Sequence, residues 1–136
     1  LSHCMAYKAK VVAEDEHDTG LRMTLNFGHT IAHAVETVQH YQGFRHGEAV
    51  ALGMACITQL SEKMGLTEQG TAARLLALEQ ALPLPTALPG ELSHAELIQA
   101  MMQDKKNAGN VLTVILLHHI GACYLHQTDI SFFEKA

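Results

Sequence analysis

Several features are scarce in this sequence, and each absence removes a class of protein. The three cysteines, Cys4, Cys56 and Cys123, lie far apart and form no CxxC pair, so they indicate neither a disulfide framework nor a cysteine metal site. No apolar run approaches the roughly 20 residues that span a bilayer, and no signal peptide is recognisable. We therefore expect free thiols in a reducing compartment, the cytoplasm, and no membrane association.

Positive charge is scarce as well. The 9 Lys and Arg residues against 14 Asp and Glu give a net charge of −5, which argues against a nucleic acid or an acidic membrane as partner. The sequence contains no internal repeat and no GxGxxG dinucleotide motif. Its 136 residues, 48% of them apolar, are enough for one domain with its own core, so we expect a single domain over residues 1–136.

The chain begins without methionine, and residues 1–12 already have helical spacing with no capping residue before them. Met5, Ala9 and Val12 fall on one apolar face of this helix. A processed or tagged terminus would explain such a beginning, and so would a domain excised from a longer protein. We favour the second explanation.

The remaining pattern is mainly helical. Hydrophobic periodicity predicts further helices over residues 21–40, 48–64, 67–82 and 93–103. The 48–64 helix is rich in small residues and ends at Gly65, so we expect it to be central and buried. Ser93 and Glu96 form a capping box at the start of the last of these helices, and a polar link over 104–110 follows. Residues 111–117 and 122–125, on either side of Gly121, predict a small β-hairpin.

The 21–40 segment carries the strongest functional signal. On one continuous helix Arg22, Asn26, His29 and His33 would fall within roughly 60° of one another. Apolar residues cover the opposite face, namely Met23, Phe27, Ile31, Ala34, Val35 and Val38. A solvated face would be richer in Glu, Lys and Gln, because Asn and His are poorer helix formers. The stripe therefore indicates groups directed at an anion and a metal.

His29 and His33 have the i, i+4 spacing that lets two imidazoles converge on one cation. The zinc-protease motif has Glu directly after its first His, and here that position is Thr30, which argues against a protease. His46, at the start of the small-residue helix, is a third candidate ligand, since three protein ligands and one open position are typical of catalytic zinc. Lys8 and the pair Lys105 and Lys106 would, taken alone, be solvated surface cations.

Several motifs together resemble one family. They are Lys8-Ala9-Lys10-Val11-Val12, Asp15-Glu16, Gly20-Leu21-Arg22, Leu25-Asn26-Phe27-Gly28-His29-Thr30, His33-Ala34-Val35-Glu36, His46-Gly47-Glu48-Ala49-Val50-Ala51 and Asp104-Lys105-Lys106-Asn107. In this order and at these separations they resemble the 3-dehydroquinate synthases. The resemblance implies a helical C-terminal domain of an enzyme that closes the sugar acid phosphate DAHP into 3-dehydroquinate and releases phosphate in the shikimate pathway.

The resemblance also implies roles for individual residues. His29 and His46 match the two metal-binding histidines, whereas His33 matches a substrate-contacting histidine near the phosphate and is then not a ligand. Arg22, Asn26 and Lys8 match contacts to the substrate anions, as does one of Lys105 and Lys106. The implied cofactors are NAD and a divalent metal, zinc or cobalt.

Two departures limit the resemblance. Ala32 stands where the family usually has Gly. The family's third metal ligand, a glutamate, and its nucleotide-binding N-terminal domain would lie upstream of this sequence. We therefore expect the chain alone to be inactive, with its own N-terminal domain and a second copy, in a homodimer, as partners of the complete enzyme.

Two alternatives remain open at the level of sequence. A related sugar-phosphate cyclase of secondary metabolism would share the fold and the chemistry, although Arg22 and the lysines favour a substrate that carries a carboxylate. A non-catalytic helical module for metal binding or protein interaction would share the fold alone.

Overall fold

The computed structural model describes residues 2–14, 21–40, 42–86, 93–108 and 112–134, of which residues 14, 21, 22, 94, 104–108 and 134 are described by their backbone alone. In chain order the elements are α1 (Ser2–Glu14), a 3-10 helix (Leu21–Asn26), α2 (His29–Val38), α3 (His46–Lys63), α4 (Thr71–Ala81), α5 (His94–Ala108), β1 (Leu112–His119), β2 (Ala122–Thr128) and α6 (Ser131–Glu134). The predicted mainly α fold with a hairpin near the C-terminus is confirmed. None of the helices in the described ranges has the length and apolar character needed to cross a membrane.

The single helix predicted over residues 21–40 is wrong, because the chain breaks at Gly28. Gly28 has a left-handed φ of 81°, which separates the 3-10 helix from α2. A Cβ atom at Gly28 would lie 2.8 Å from the carbonyl oxygen of Val50, and one at Gly53 would collide with the carbonyl oxygen of Gly28. Two backbones therefore touch at this point, and Asn26 does not share a helix with His29.

The small-residue helix α3 is central and buried, as predicted. Ala49, Ala51 and Ala55 are at most 5% exposed, and α2 lies directly against this face. The carboxylate of Glu48 accepts the backbone N–H of Arg45 at the start of the helix. At the end, Gly65 has a φ of 76°, and the N–H of Leu66 donates back to Ser61, so the helix stops in a Schellman motif.

Helix α4 begins four residues later than the predicted start at Thr67. The carboxylate of Glu62, on α3, accepts the backbone N–H groups of Gly70 and Ala72 at 3.0 and 2.8 Å. Thr67 instead pairs its hydroxyl with that of Ser61, at 2.7 Å in a buried position. A side chain from another helix thus caps α4, and no pattern within residues 67–71 predicts this cap.

Helix α5 and the hairpin follow the sequence prediction more closely. The Ser93 hydroxyl accepts the N–H of Glu96, as a capping residue does, and α5 then continues to Ala108, through most of the predicted polar link. Strands β1 and β2 pair antiparallel around a turn in which Gly121 has a φ of 97°.

The hydrophobic core lies where α2, α3, α5, the hairpin and α6 meet. Its buried members are Ile31, Ala34, Val35, Leu52, Ile57, Leu60, Leu97, Met101, Val114, Leu116, Phe132 and Phe133. Helix α1 stands apart from this cluster. Of the apolar face predicted for α1, Met5 is 71% exposed, Ala9 is exposed and Val12 is half-buried, whereas the neighbouring Val11 is only 2% exposed.

Candidate metal centre and anion-binding cleft

Three imidazoles come together where α2 crosses the beginning of α3. His29 is the first residue of α2, His33 lies one turn further along, and His46 is the first residue of α3. The ring centre of His29 lies 5.4 Å from that of His46 and 6.0 Å from that of His33. The close backbone contact between Gly28 and Gly53 holds the two helices in this relation.

The ring of His29 is oriented by its own backbone. Its Nδ1 atom lies 3.2 Å from the carbonyl oxygen of Phe27, across the turn that Gly28 permits. A carbonyl oxygen can only accept, so Nδ1 carries the proton and donates. In the neutral ring the lone pair is then on Nε2.

The ring of His46 is oriented by a carboxylate. Its Nδ1 atom lies 2.9 Å from Oε1 of Glu36, whose side chain is 12% exposed against 57% for His46. The carboxylate oxygen accepts and Nδ1 donates, so in the neutral ring the lone pair of His46 is on Nε2 as well. Metal-binding histidines usually donate their second ring N–H to such an oxygen acceptor.

The pair His29 and His46 fits a divalent metal. Two imidazoles on one tetrahedral zinc, with Zn–N bonds of about 2.0–2.1 Å, have ring centres about 5 Å apart, close to the separation found here. Within the described ranges no three His, Cys, Asp or Glu side chains form a complete metal site. The structure therefore brings two imidazole rings into an arrangement that is compatible with two ligands of one divalent metal.

A cleft of about 260 Å³ opens beside the rings of His29 and His33, and His46 is not among the residues that line it. Met23 and Asn26 of the 3-10 helix, His29 and His33 of α2, and residues 112–115 of β1 line it. Asn26 and His33 are exposed and bring hydrogen-bonding groups to a wall that is otherwise largely apolar. This combination suits a small polar ligand held by a few directed contacts.

The structure does not bring every predicted site residue to this cleft. Lys8 is exposed on α1 and lines a separate open groove with Leu25 of the 3-10 helix. The side chain of Arg22 lies outside what the structure describes, and so do those of Lys105 and Lys106, whose backbone belongs to α5. The roles of these cations stay predictions.

Glu36 is the site residue to which sequence reasoning assigned no role. It lies seven residues after His29, two turns along α2, and so on the same face of that helix. A carboxylate two turns from a candidate metal ligand, followed ten residues later by a second histidine, is the signal that could have indicated it.

Comparison with known proteins gives a consistent result. Residues 1–107 match the family model described as 3-dehydroquinate synthase C-terminal. The chain is 45% identical over 131 residues to the 3-dehydroquinate synthase of Clostridium beijerinckii, covering 96% of this chain and 37% of that protein. It is 39% identical over 143 residues to that of Legionella pneumophila, covering 98% and 39%. The chain thus spans little more than a third of the length of these relatives.

Solved structures with the same fold share less sequence. A 2-deoxy-scyllo-inosose synthase in complex with carbaglucose-6-phosphate, NAD⁺ and Co²⁺ has a TM-score of 0.83 at 22% identity, over 98% of this chain and 39% of that one. A 2-epi-5-epi-valiolone synthase from Streptomyces hygroscopicus with NAD⁺ and Zn²⁺ has a TM-score of 0.72 at 22% identity, over 96% of this chain and 35% of that one. At such identities the likeness concerns the fold.

Proposed function

The chain belongs to the 3-dehydroquinate synthase C-terminal family, and from this premise we propose that it is the metal- and substrate-binding part of a 3-dehydroquinate synthase. That enzyme converts DAHP into 3-dehydroquinate and phosphate in the shikimate pathway, on the route to aromatic amino acids. The single observation that carries the proposal is the pairing of His29 and His46. Each ring donates through Nδ1 to an oxygen and keeps Nε2 available for a cation.

The proposed cofactors are NAD and one divalent metal, zinc or cobalt, with His29 and His46 as metal ligands. When bound, the metal supplies Lewis-acid chemistry that favours oxidation of a substrate hydroxyl, and NAD supplies the hydride acceptor. The likeness to cyclases solved with NAD⁺ and Co²⁺ or Zn²⁺ supports this set. A nucleotide-binding domain upstream would hold NAD and contribute the missing glutamate ligand.

Substrate binding is proposed for the polar side chains of the cleft and for the lysine and arginine residues of the family motifs. The phosphorylated sugar acid carries a carboxylate and a phosphate, which Arg22, Lys8 and one of Lys105 and Lys106 would neutralise. Asn26 and His33, both in the cleft beside His29, would orient the same ligand by hydrogen bonds. Both side chains line the same cleft as His29, so an anion bound there would lie close to the proposed metal ligand.

The remaining parts of the proposal concern assembly. We propose that residues 1–136 act as one helical domain that works against its own nucleotide-binding domain, in a cytoplasmic homodimer. A chain with two nitrogen ligands and no hydride acceptor should be catalytically silent by itself. Its 3-10 helix and α2 should still bind phosphate or sulfate weakly.

A related sugar-phosphate cyclase is the second candidate, favoured by the likeness in fold to 2-deoxy-scyllo-inosose synthase. The higher identity to proteins named 3-dehydroquinate synthase supports the first candidate. Supplying DAHP and glucose 6-phosphate separately, to a protein that joins this chain to a nucleotide-binding domain, distinguishes the two. Turnover of glucose 6-phosphate alone would establish the second candidate, and a metal-binding module without catalysis would turn over neither.

The decisive variant is His29→Ala in that joined protein, with NAD⁺ and zinc supplied. We expect phosphate release from DAHP to fall by at least about a thousandfold and bound metal to fall with it, while the fold is retained. His119→Ala is the matched control, because His119 is an exposed histidine at the end of β1. Unchanged turnover and metal content in His29→Ala would remove His29 from the site.

A further inference from the structure

We propose that Glu36 is a positioning residue, which holds the His46 ring so that Nε2 faces the point shared with His29. The inference rests on the proposed function, since it takes His29 and His46 to be ligands of one cation. It adds a residue that the family motifs and the sequence left without a role. Its basis is the 2.9 Å contact between Glu36 Oε1 and His46 Nδ1.

Glu36 and His46 are buried to different extents, and the difference indicates which of the two side chains restrains the other. The side chain of His46 is 57% exposed, at the first turn of α3, and nothing in its burial would prevent the ring from rotating. The side chain of Glu36 is 12% exposed and comes from α2, which packs tightly against α3. The better-fixed carboxylate therefore restrains the more exposed ring.

The same contact selects a tautomer. A neutral imidazole has one proton, and a carboxylate oxygen facing Nδ1 requires that proton on Nδ1. The carbonyl oxygen of Phe27 imposes the same choice on His29. Two unrelated acceptors, one from the backbone and one from a side chain, thus present the two rings to each other with Nε2 as the free nitrogen on both.

An ordinary surface ion pair is the competing interpretation. Exposed pairs contribute between about 0 and 1 kcal/mol to stability and leave the function of their members unchanged. A positioning role differs in two measurable ways, because losing the acceptor should change the His46 tautomer and weaken metal binding. Removal of such an oxygen acceptor typically lowers metal affinity by about 10–100-fold.

The experiment compares Glu36→Ala, Glu36→Gln and the control Glu68→Ala in this chain. Glu68 is an exposed glutamate whose backbone N–H donates to the carbonyl oxygen of His118, on the hairpin. Long-range ¹H–¹⁵N spectra of the histidine rings, recorded without metal, report the tautomer of His46. Titration with Co²⁺ and with Zn²⁺ then reports affinity, and His46→Ala gives the affinity that remains when the ligand itself is absent.

We expect the wild-type chain to hold His46 with its proton on Nδ1, and Glu36→Ala to lose that preference and about 10–100-fold in metal affinity. Glu36→Gln should keep the tautomer, because the amide oxygen still accepts, and should lose affinity by several-fold because the acceptor is no longer charged. Glu68→Ala should match the wild type in both respects. Since Glu36→Gln preserves shape, it decides the matter even where Glu36→Ala unfolds.

Two results would overturn the inference. The first is a His46 ring without the Nδ1–H preference in the wild-type chain. The second is metal affinity within twofold of wild type in both Glu36 variants while His46→Ala loses binding; the proposed metal site would then stand without Glu36. If His29→Ala and His46→Ala also bound metal like the wild type, the proposed site itself would be wrong.

Discussion

The α2–α3 pair and helix α1 both carry residues proposed to bind substrate or metal, but the two regions differ in how deeply their side chains are buried. Val35 of α2 and Leu52 of α3 are completely buried, and the two backbones touch at Gly28 and Gly53. In the described part of α1, Val11 alone is buried, and Met5 and Tyr7 are 71% and 56% exposed.

The difference separates two kinds of site residue. The relative positions of His29 and His46 follow from packing inside this chain, so the paired rings should persist whatever surrounds them. The position of Lys8 depends on a helix whose outer face the described residues leave open. The arrangement of His29 and His46 is thus fixed by packing between α2 and α3, whereas most of the described side chains of α1, including Lys8, are exposed.

The largest effect is expected where the two backbones meet. Gly53→Ala places a methyl group against the carbonyl oxygen of Gly28, and neither backbone can yield without separating α2 from α3. We expect a loss of about 3 kcal/mol or more in the free energy of unfolding, measured by urea denaturation. Gly47→Ala is the control on the same helix, since a Cβ there meets nothing within 4 Å. Equal stabilities of the two variants would show that the helices are not in close contact.

The stability of the chain should depend on pH because a carboxyl group, that of Glu79, is buried. Glu79 of α4 is 3% exposed, and neither of its carboxylate oxygens has a hydrogen-bond partner among the described residues. Burial raises the pKa of Glu79 from 4.5 to about 7. The folded state disfavours the ionised carboxylate of Glu79. Below about pH 4.5 the group is protonated in both states and does not lower the free energy of unfolding. As pH rises to 7, it lowers the free energy of unfolding progressively, by up to about 3 kcal/mol.

Glu79→Gln should remove this dependence, and the difference in unfolding free energy between the variant and the wild type should grow from pH 4.5 to pH 7.5. Thermal or urea denaturation across that range provides the measurement, with Glu68→Gln as the exposed control. A difference that stays constant with pH would show that folding leaves the pKa of Glu79 unchanged, and one that grows towards acid would show that folding lowers it.

A smaller effect tests α1 itself. Val11→Ala should lower the free energy of unfolding by about 1–2 kcal/mol, because Val11 is 2% exposed. Met5→Ala, on the same helix but 71% exposed, should change it by less than about 0.5 kcal/mol. If Met5→Ala were as destabilising as Val11→Ala, α1 would be packed on both faces and the contrast with the α2–α3 pair would disappear.

Local signals in the sequence predicted the elements that depend on local physics. The small residues and Gly65 predict α3, and the Ser93 hydroxyl predicts the start of α5. The β-branched segment 111–117, followed by Gly121 and residues 122–125, predicts the hairpin. Each of these features is set by residues within a few positions of one another. For the same reason the spacing of His29 and His33 could be read directly as one turn of helix.

The errors arose where distant residues decide the structure. Hydrophobic periodicity predicts one helix over residues 21–40. It misses the break at Gly28 because the contact that favours a turn there comes from Gly53, 25 positions away along the chain. The start of α4 was misplaced because its cap is Glu62 on another helix. Glu36 went unassigned for the same reason, since its partner His46 becomes adjacent only when α2 and α3 pack.

The claim that His29 and His46 bind one divalent metal can be tested in one spectrum. Paramagnetic Co²⁺, added in small steps to the ¹⁵N-labelled chain, broadens the ring signals of the histidines nearest to it. We predict that the signals of His29 and His46 broaden first and that of His33 next, while those of His118, His119 and His126 in the hairpin stay sharp. Broadening that begins at the hairpin histidines, or that affects all of these rings equally, would contradict it.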